Sequence, residues 1–106
     1  MKNVAEEIEV KQMAEKTEKK RLTRALRRAA EVLISSNYRV TLLQGEVFNL
    51  EAIREREIRK ILVVIDSIAK DDEKKVRAFK LPAICTKEIW CKRLNEPVFL
   101  IKEIRQ

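Results

Sequence analysis

Histidine is missing from this sequence of 106 residues, and cysteine occurs only twice, as Cys85 and Cys91. Protein zinc sites are built mainly from cysteine and histidine, so without histidine or a Cys-x-x-Cys pair no zinc site is expected. Serine-nucleophile chemistry has no support either, because no histidine is present to act as its base. Two cysteines do not make a disulfide framework, and the sequence therefore predicts reduced thiols in a cytoplasmic protein.

Turn-forming residues are also scarce: glycine occurs once and proline twice. This scarcity predicts few loops, and the single Gly45 supports no phosphate-binding loop. No apolar stretch approaches the roughly 20 residues that a membrane-spanning helix needs, and the first residues contain no apolar signal core. We therefore expect no membrane partner.

What the chain does contain is charge, at 39% of residues, together with 45% hydrophobic residues. This balance is typical of a folded globular protein, and the length suits one domain. The abundance of Lys, Arg, Glu and Ile resembles the residue usage of thermophile proteins. We expect an N-terminal charged helical extension over residues 1–21 and a single α/β domain over residues 22–106.

The net charge of +7 is concentrated in one place. Residues 1–18 carry three lysines and five glutamates, whereas residues 19–28, here called the basic segment, carry six positive charges and no acid. A cluster this dense favours a polyanion partner, and we expect nucleic acid, DNA rather than RNA. The candidate contact residues are Lys19, Lys20, Arg21, Arg24, Arg27 and Arg28. The alternative is a solvated helix face that pairs with acids elsewhere in the chain.

The longest apolar run, residues 61–65, is rich in β-branched residues and does not alternate. Such a run predicts a strand buried on both faces at the centre of a sheet. We expect an α/β fold with a mixed four- to five-stranded sheet, the element order α-β-β-β-α-β-α-β and a long N-terminal helix. The packed helices are predicted over residues 22–35, 70–80 and 87–94, and the strands over residues 38–43, 47–53, 58–67, 81–85 and 98–104.

The order helix, three meandering strands, helix, strand resembles the core of the restriction-endonuclease-like nucleases, the PD-(D/E)xK superfamily. The stretch LRRAAEVLISSNYRVTLLQGEVFNLEAI looks like the first helix, turn and first two strands of that family. The resemblance covers residues 22–85. It implies a Mg²⁺-dependent site in which the second strand supplies an Asp, and the third supplies an acid and, two residues later, a Lys.

This sequence departs from that motif at two of the three positions. The Asp position falls on Asn49, the acid position falls on Asp66, and the Lys position falls on Ile68. Lys70 is the nearest lysine that follows, and Glu51 or Glu46 could replace the missing acid. If the nuclease were active, its catalytic residues would be Asp66, Glu51 and Lys70. The metal ligands would then be Asp66, Asn49 and Glu46.

Each of these residues also has a purely structural interpretation. Asp66 could end a strand or cap the following helix, and Asn49 and Glu51 could form the solvated side of a strand. We therefore expect a nucleic-acid-binding protein with a nuclease-like but catalytically degenerate core and no cofactor. The alternatives are a structural or regulatory protein-interaction module and, third, a Mg²⁺-dependent nuclease. The thin apolar stripe of residues 1–18 predicts a homo-oligomer, most simply a dimer.

Overall fold

The computed structural model describes residues 4–105, and side chains are described for residues 16–105. A five-stranded mixed sheet carries one helix on each face. The elements are α1 (Val4–Ser35), β1 (Arg39–Leu42), β2 (Leu50–Arg54), β3 (Glu57–Ile65), α2 (Lys70–Ala78), β4 (Cys85–Lys92) and β5 (Leu100–Ile104). The strands lie in chain order across the sheet, from β1 to β5. The α/β class, the mixed sheet and the long N-terminal helix are as predicted.

Strand β3 is the centre of the sheet. It pairs antiparallel with β2 and parallel with β4, so it has a neighbour along each edge. Ile61 and Val63 are almost fully buried. The apolar run in the sequence therefore predicted the central strand correctly, and a parallel neighbour required the crossover helix α2.

Helix α1 packs on one face of the sheet through one side of its C-terminal half. Ala25, Ala29 and Leu33 follow each other at four-residue spacing and are buried. They contact a cluster of sheet residues that includes Leu50, Ala52, Ile61, Val63 and Trp90. The predicted packing of residues 22–35 on the sheet is confirmed, and the four-residue spacing explains it because such positions share one helix face.

The end of α1 and the opposite face of the sheet complete the core. Asn37 follows the helix with φ at 68°, a left-handed conformation typical of the residue that ends a helix, and Tyr38 N–H bonds back to the Leu33 carbonyl over 3.1 Å. On the other face, a second buried cluster forms under α2. Its members are Phe48, Val76, Ile89 and Ile104.

The predicted helix over residues 87–94 is wrong, because residues 85–92 form strand β4. The predicted strand over residues 81–85 is also wrong. There the Cys85 N–H bonds to the Pro82 carbonyl over 2.9 Å in a turn that leads into β4. The helix prediction failed because Lys87 and Glu88 carry charges that are typical of an exposed helix surface, whereas both are buried in the strand. Glu88 is paired with Arg59, 29 residues earlier, and Lys87 donates to the carbonyls of Arg77 and Phe79 at the end of α2.

Candidate nucleic-acid interface

The solvent side of α1 carries the cations of the basic segment. Lys19, Lys20, Arg24 and Arg27 are exposed, and together with Thr23 they line a shallow groove of about 300 Å³. Lys20, Arg24 and Arg27 fall on the side of the helix opposite Ala25, Ala29 and Leu33 because of the 3.6-residue repeat, and Lys19 lies on the flank between the two sides. Within residues 16–105, none of the four cations has an ion-pair partner. We call these four residues the basic stripe.

Two of the six candidate cations have other partners. Arg21 turns toward the end of β3 and makes a bidentate ion pair with Asp66, one of whose two contacts measures 3.1 Å. Arg28 lies 3.5 Å from Glu31 in an exposed pair at i,i+3 spacing. One residue that the sequence analysis omitted belongs with the stripe: Lys16 is exposed and lies one turn before Lys20. Helical spacing in the sequence contained the information needed to include Lys16, whereas the partner of Arg21 depends on how the helix approaches the end of β3.

Asn49, the residue at the Asp position of the nuclease motif, is bonded to the backbone of β3. Its side-chain NH₂ donates to the Val63 carbonyl over 2.9 Å, and its oxygen accepts the Val63 N–H over 2.8 Å. Strand β2 begins at Leu50, opposite Ile61. The Asn49 side chain therefore continues the hydrogen bonding of the β2–β3 pair beyond the last backbone partner. A carboxylate could not do this, because it cannot donate to a carbonyl.

Asp66 lies beyond β3, next to the end of β4. Its backbone N–H donates to the Lys92 carbonyl over 3.0 Å, and its φ of 69° places it in the left-handed region. The hydrogen bond and charge of Arg21 hold the pKa of Asp66 below its ordinary value. Asp66 does not cap α2, whose first turn follows Ala69 without a side-chain cap. Asp66 and Asn49 therefore lie on opposite edges of β3 and have different partners.

The remaining candidates for a metal site are also separate from Asp66. Lys60 lies 2.6 Å from Glu51 and 3.9 Å from Glu46, so one lysine occupies the space between the two acids. Ile68 packs in the core beneath α2, and Lys70 is exposed at the first position of that helix. Among the described residues, no group of three or more acids or cysteines is placed to hold a metal ion. The residues do not fit the Mg²⁺ site that the resemblance implies.

An apolar cleft of about 480 Å³ lies between α1, the last residues of β3 and the start of α2. Its walls are Leu22 and the β3 residues Leu62, Val63, Val64 and Ile65, and Asn49 lies at its edge. This half of β3 extends past the beginning of β2, which leaves the space open. The cleft is bordered by polar groups, and these are Glu18, Lys19, Ser67 and Asp72. Lys19 also belongs to the basic stripe, so the cleft and the stripe are adjacent.

A second charged cluster, which the sequence analysis missed, lies at the other end of β3. Arg59 donates to both oxygens of Glu88 over 2.7 and 2.5 Å, and Trp90 and Thr86 each donate to Glu88 over 3.2 Å. The Arg59 guanidinium also lies 5.1 Å from the ring centre of Tyr38. Burial acts to raise the pKa of Glu88, but the hydrogen bonds and charge of Arg59 outweigh burial and hold this pKa below its ordinary value.

No protein-family model matches this chain, and no curated protein matches it significantly. In the described part of the chain, no helix combines the length and the apolar character needed to cross a bilayer.

Proposed function

We propose that this protein binds nucleic acid, DNA in preference to RNA, through the basic stripe on α1, and that its nuclease-like core has lost catalytic activity. The observation that carries the proposal is the placement of Lys19, Lys20, Arg24 and Arg27 on one exposed side of a helix with no ion-pair partner among residues 16–105. Free cations at helical spacing can each meet a phosphate, and the release of counterions then drives binding.

Two features support the second half of the proposal. The order of elements from α1 to β4 is the order of the nuclease core that the sequence resembles. At the same time, Asn49 is held by the Val63 backbone and the apolar residues Leu62 and Val64 line the cleft beside it. An oxyphilic ion such as Mg²⁺ needs close carboxylates to offset the loss of its hydration. The two carboxylates that border this cleft, Glu18 and Asp72, belong to no group of three or more acids or cysteines among the described residues that could hold an ion.

The salt dependence of binding tests the proposal. Labelled duplex and single-stranded DNA and RNA are titrated with the protein at several salt concentrations, and binding is followed by fluorescence anisotropy. For duplex DNA, the affinity should fall with salt with a slope of about −0.9 per neutralised phosphate. The triple variant K20Q/R24Q/R27Q should bind more weakly, and its slope should be smaller by about 0.9 for each phosphate that it no longer neutralises.

A matched control removes three positive charges elsewhere. Arg56, Lys74 and Lys75 are exposed and lie outside α1, so the variant R56Q/K74Q/K75Q has the same net charge as the stripe variant. It should retain the slope of the unmodified protein. Equal weakening in both triple variants would show that only overall charge matters, and no binding to any nucleic acid at low salt would reject the proposal.

A protein-interaction module is the second candidate function, and one observation favours it. The outer edge of the sheet exposes aliphatic side chains around strand β5 and the turn before it. These are Leu94, Val98, Leu100 and Ile101, of which Val98 is 70% exposed. Apolar side chains exposed at an unpaired sheet edge favour association with another chain. We propose a homo-oligomer on this basis as well as on the apolar stripe of residues 1–18, whose side chains up to residue 15 lie outside the described ones.

A further inference from the structure

We propose that the apolar cleft beside the basic stripe takes an unpaired nucleobase, so that the protein prefers single-stranded nucleic acid with bases that carry an exocyclic amino group. The inference rests on the proposed function and adds the form of nucleic acid that is bound. Its premise is the position of Lys19, which borders both the cleft and the groove of the basic stripe. A strand whose phosphates follow the stripe therefore passes the mouth of the cleft.

The composition of the cleft favours a base over a phosphate. Its walls are aliphatic, and burying the faces of a base against them removes apolar surface from water. The groups at its border include two carboxylates, Glu18 and Asp72, and a single cation, Lys19. Carboxylates repel a phosphate but accept hydrogen bonds from amino groups such as N4 of cytosine. A nucleotide can therefore place its base in the cleft and its phosphate on the stripe.

The size of the cleft and the partners of its polar groups agree with this occupant. A volume of about 480 Å³ lies within the range of small-molecule sites. Asn49 uses its oxygen and one N–H on Val63, which leaves its second N–H as a donor. No ion pair engages Asp72 within residues 16–105. A paired base in a duplex cannot reach such a cleft unless it leaves the stack, so an unpaired strand is preferred.

Three single strands of roughly 12 nucleotides, within the usual range of single-strand site sizes, distinguish the contribution of the bases to the affinity from that of the sugar-phosphate backbone. They are oligo-dC, oligo-dT and a backbone of abasic sites, and each is titrated at one fixed low salt concentration. Oligo-dC should bind about tenfold more tightly than the abasic strand, which corresponds to about 1.4 kcal/mol. Oligo-dT, which lacks an exocyclic amino group, should fall between them. Equal affinity for oligo-dC and the abasic strand overturns the inference.

Two neighbouring aspartates provide a control with opposite expected signs. Asp72 borders the cleft, whereas Asp71 is exposed and does not. Removing an acid near a phosphate-binding surface should strengthen binding slightly, and D71N should therefore bind all three strands as well as the unmodified protein or better. D72N removes an acceptor in the cleft and should weaken the binding of oligo-dC but not of the abasic strand. If D72N and D71N behave alike, the inference is wrong.

A variant that fills the cleft tests the same site without a change in charge. L22W adds volume at one wall and should weaken binding of oligo-dC while leaving the abasic strand unaffected. V32W lies at a partly exposed position on the same helix outside the cleft. It should change neither the affinity for oligo-dC nor the affinity for the abasic strand. Equal effects of L22W on all three strands contradict the inference. Salt-dependent binding with no discrimination among the strands rejects the cleft and keeps the proposed function, whereas absence of binding to every strand rejects the proposed function itself.

Discussion

Glu88 shows how a single buried charge is made compatible with a strand. The residue is 5% exposed, and Arg59, Trp90 and Thr86 donate hydrogen bonds to it. Replacing it with glutamine should destabilise the protein by about 3 kcal/mol, because Arg59 then keeps a largely buried charge without its counterion. The control is E55Q, at an exposed position in the β2–β3 turn without an ion pair among residues 16–105, with an expected change within about 0.5 kcal/mol. Urea unfolding measures both, and equal effects would contradict the assigned role of the Arg59–Glu88 pair.

The same pair predicts a pH dependence. The pKa of Glu88 is lower in the folded protein than its ordinary value, so the unfolded chain binds the proton more readily. The stabilisation is therefore complete above the unfolded pKa of about 4.3 and is lost as the pH falls through the lower folded value. The difference in unfolding free energy between the unmodified protein and E88Q should be constant above about pH 5.5 and shrink below about pH 4.

Replacing Asn49 with aspartate distinguishes a structural role of this residue from a metal-binding role. In N49D the carboxylate cannot donate to the Val63 carbonyl, and both acceptors then face each other at the 2.9 Å contact. We expect destabilisation by about 1–3 kcal/mol, the usual cost of an unpaired buried polar group. Addition of Mg²⁺ should not restore the stability. N95D, at an exposed turn, should have little effect. Urea unfolding with and without Mg²⁺ measures this. If Mg²⁺ raises the urea midpoint of N49D but not that of the unmodified protein, the site can still bind the ion.

At the scale of elements, the end of α2 depends on a lysine from β4. Lys87 is 1% exposed, and its ammonium group donates to the carbonyls of Arg77 and Phe79 over 3.0 and 3.1 Å. These carbonyls belong to the last turn of the helix and the residue after it, which lack helical partners. The positive charge also complements the negative end of the helix dipole.

Replacing Lys87 with methionine should therefore destabilise α2 selectively. K87M keeps the buried methylene groups but leaves two carbonyls without their donor, at an expected cost of about 2 kcal/mol. Relative to the unmodified protein, K87M should show faster amide hydrogen exchange in residues 76–79, while exchange in α1 should change little. The exposed Lys80, close to the same helix end, provides the control K80M, for which no change is expected. Unchanged exchange in K87M would show that Lys87 does not cap the helix.

The elements that the sequence predicted correctly are those whose signal is local. The apolar run at residues 61–65 identified the central strand, and the predicted packing of residues 22–35 on the sheet is confirmed through Ala25, Ala29 and Leu33. Strand β4 was mistaken for a helix because its buried charged residues, Lys87 and Glu88, are stabilised by partners outside the strand. Arg59 lies 29 residues before Glu88, and no pattern within residues 85–92 reveals that contact. Tertiary contacts overrode the local signal there.

The candidate site was predicted in part for the same reason. The basic segment is a local feature, and its helical repeat placed four of the six cations on one exposed side. The Arg21–Asp66 pair spans 45 residues, and the bond between Asn49 and Val63 depends on where β2 begins relative to β3. Neither the register of two strands nor the approach of a helix to a strand end can be obtained from residue spacing alone.

At the scale of the whole molecule, the proposed homo-oligomer predicts the molecular mass in solution. Light scattering at tens of micromolar should give twice the mass of one chain. The sequence assigns the contact to the stripe of Val4, Ile8 and Met13, and I8K should therefore give a monomer. I101K places a charge at the exposed edge strand β5 instead. A dimer that survives I8K but not I101K would move the contact to β5, and a monomeric unmodified protein would reject the oligomer.

The last prediction concerns catalysis: the protein should not cleave nucleic acid. Two of the three residues that would hold Mg²⁺ are occupied, since Asp66 is paired with Arg21 and Asn49 with the Val63 backbone. The third, Glu46, lies 3.9 Å from Lys60. The Lys position of the motif is Ile68, whose side chain packs in the core beneath α2, so no ammonium group is available there to activate water. Incubation with plasmid and with single-stranded DNA and RNA, in Mg²⁺ or Mn²⁺, should leave each substrate intact. D66A is prepared in parallel, because cleavage that disappears in this variant would show an active nuclease, whereas equal cleavage by both proteins would identify a contaminant.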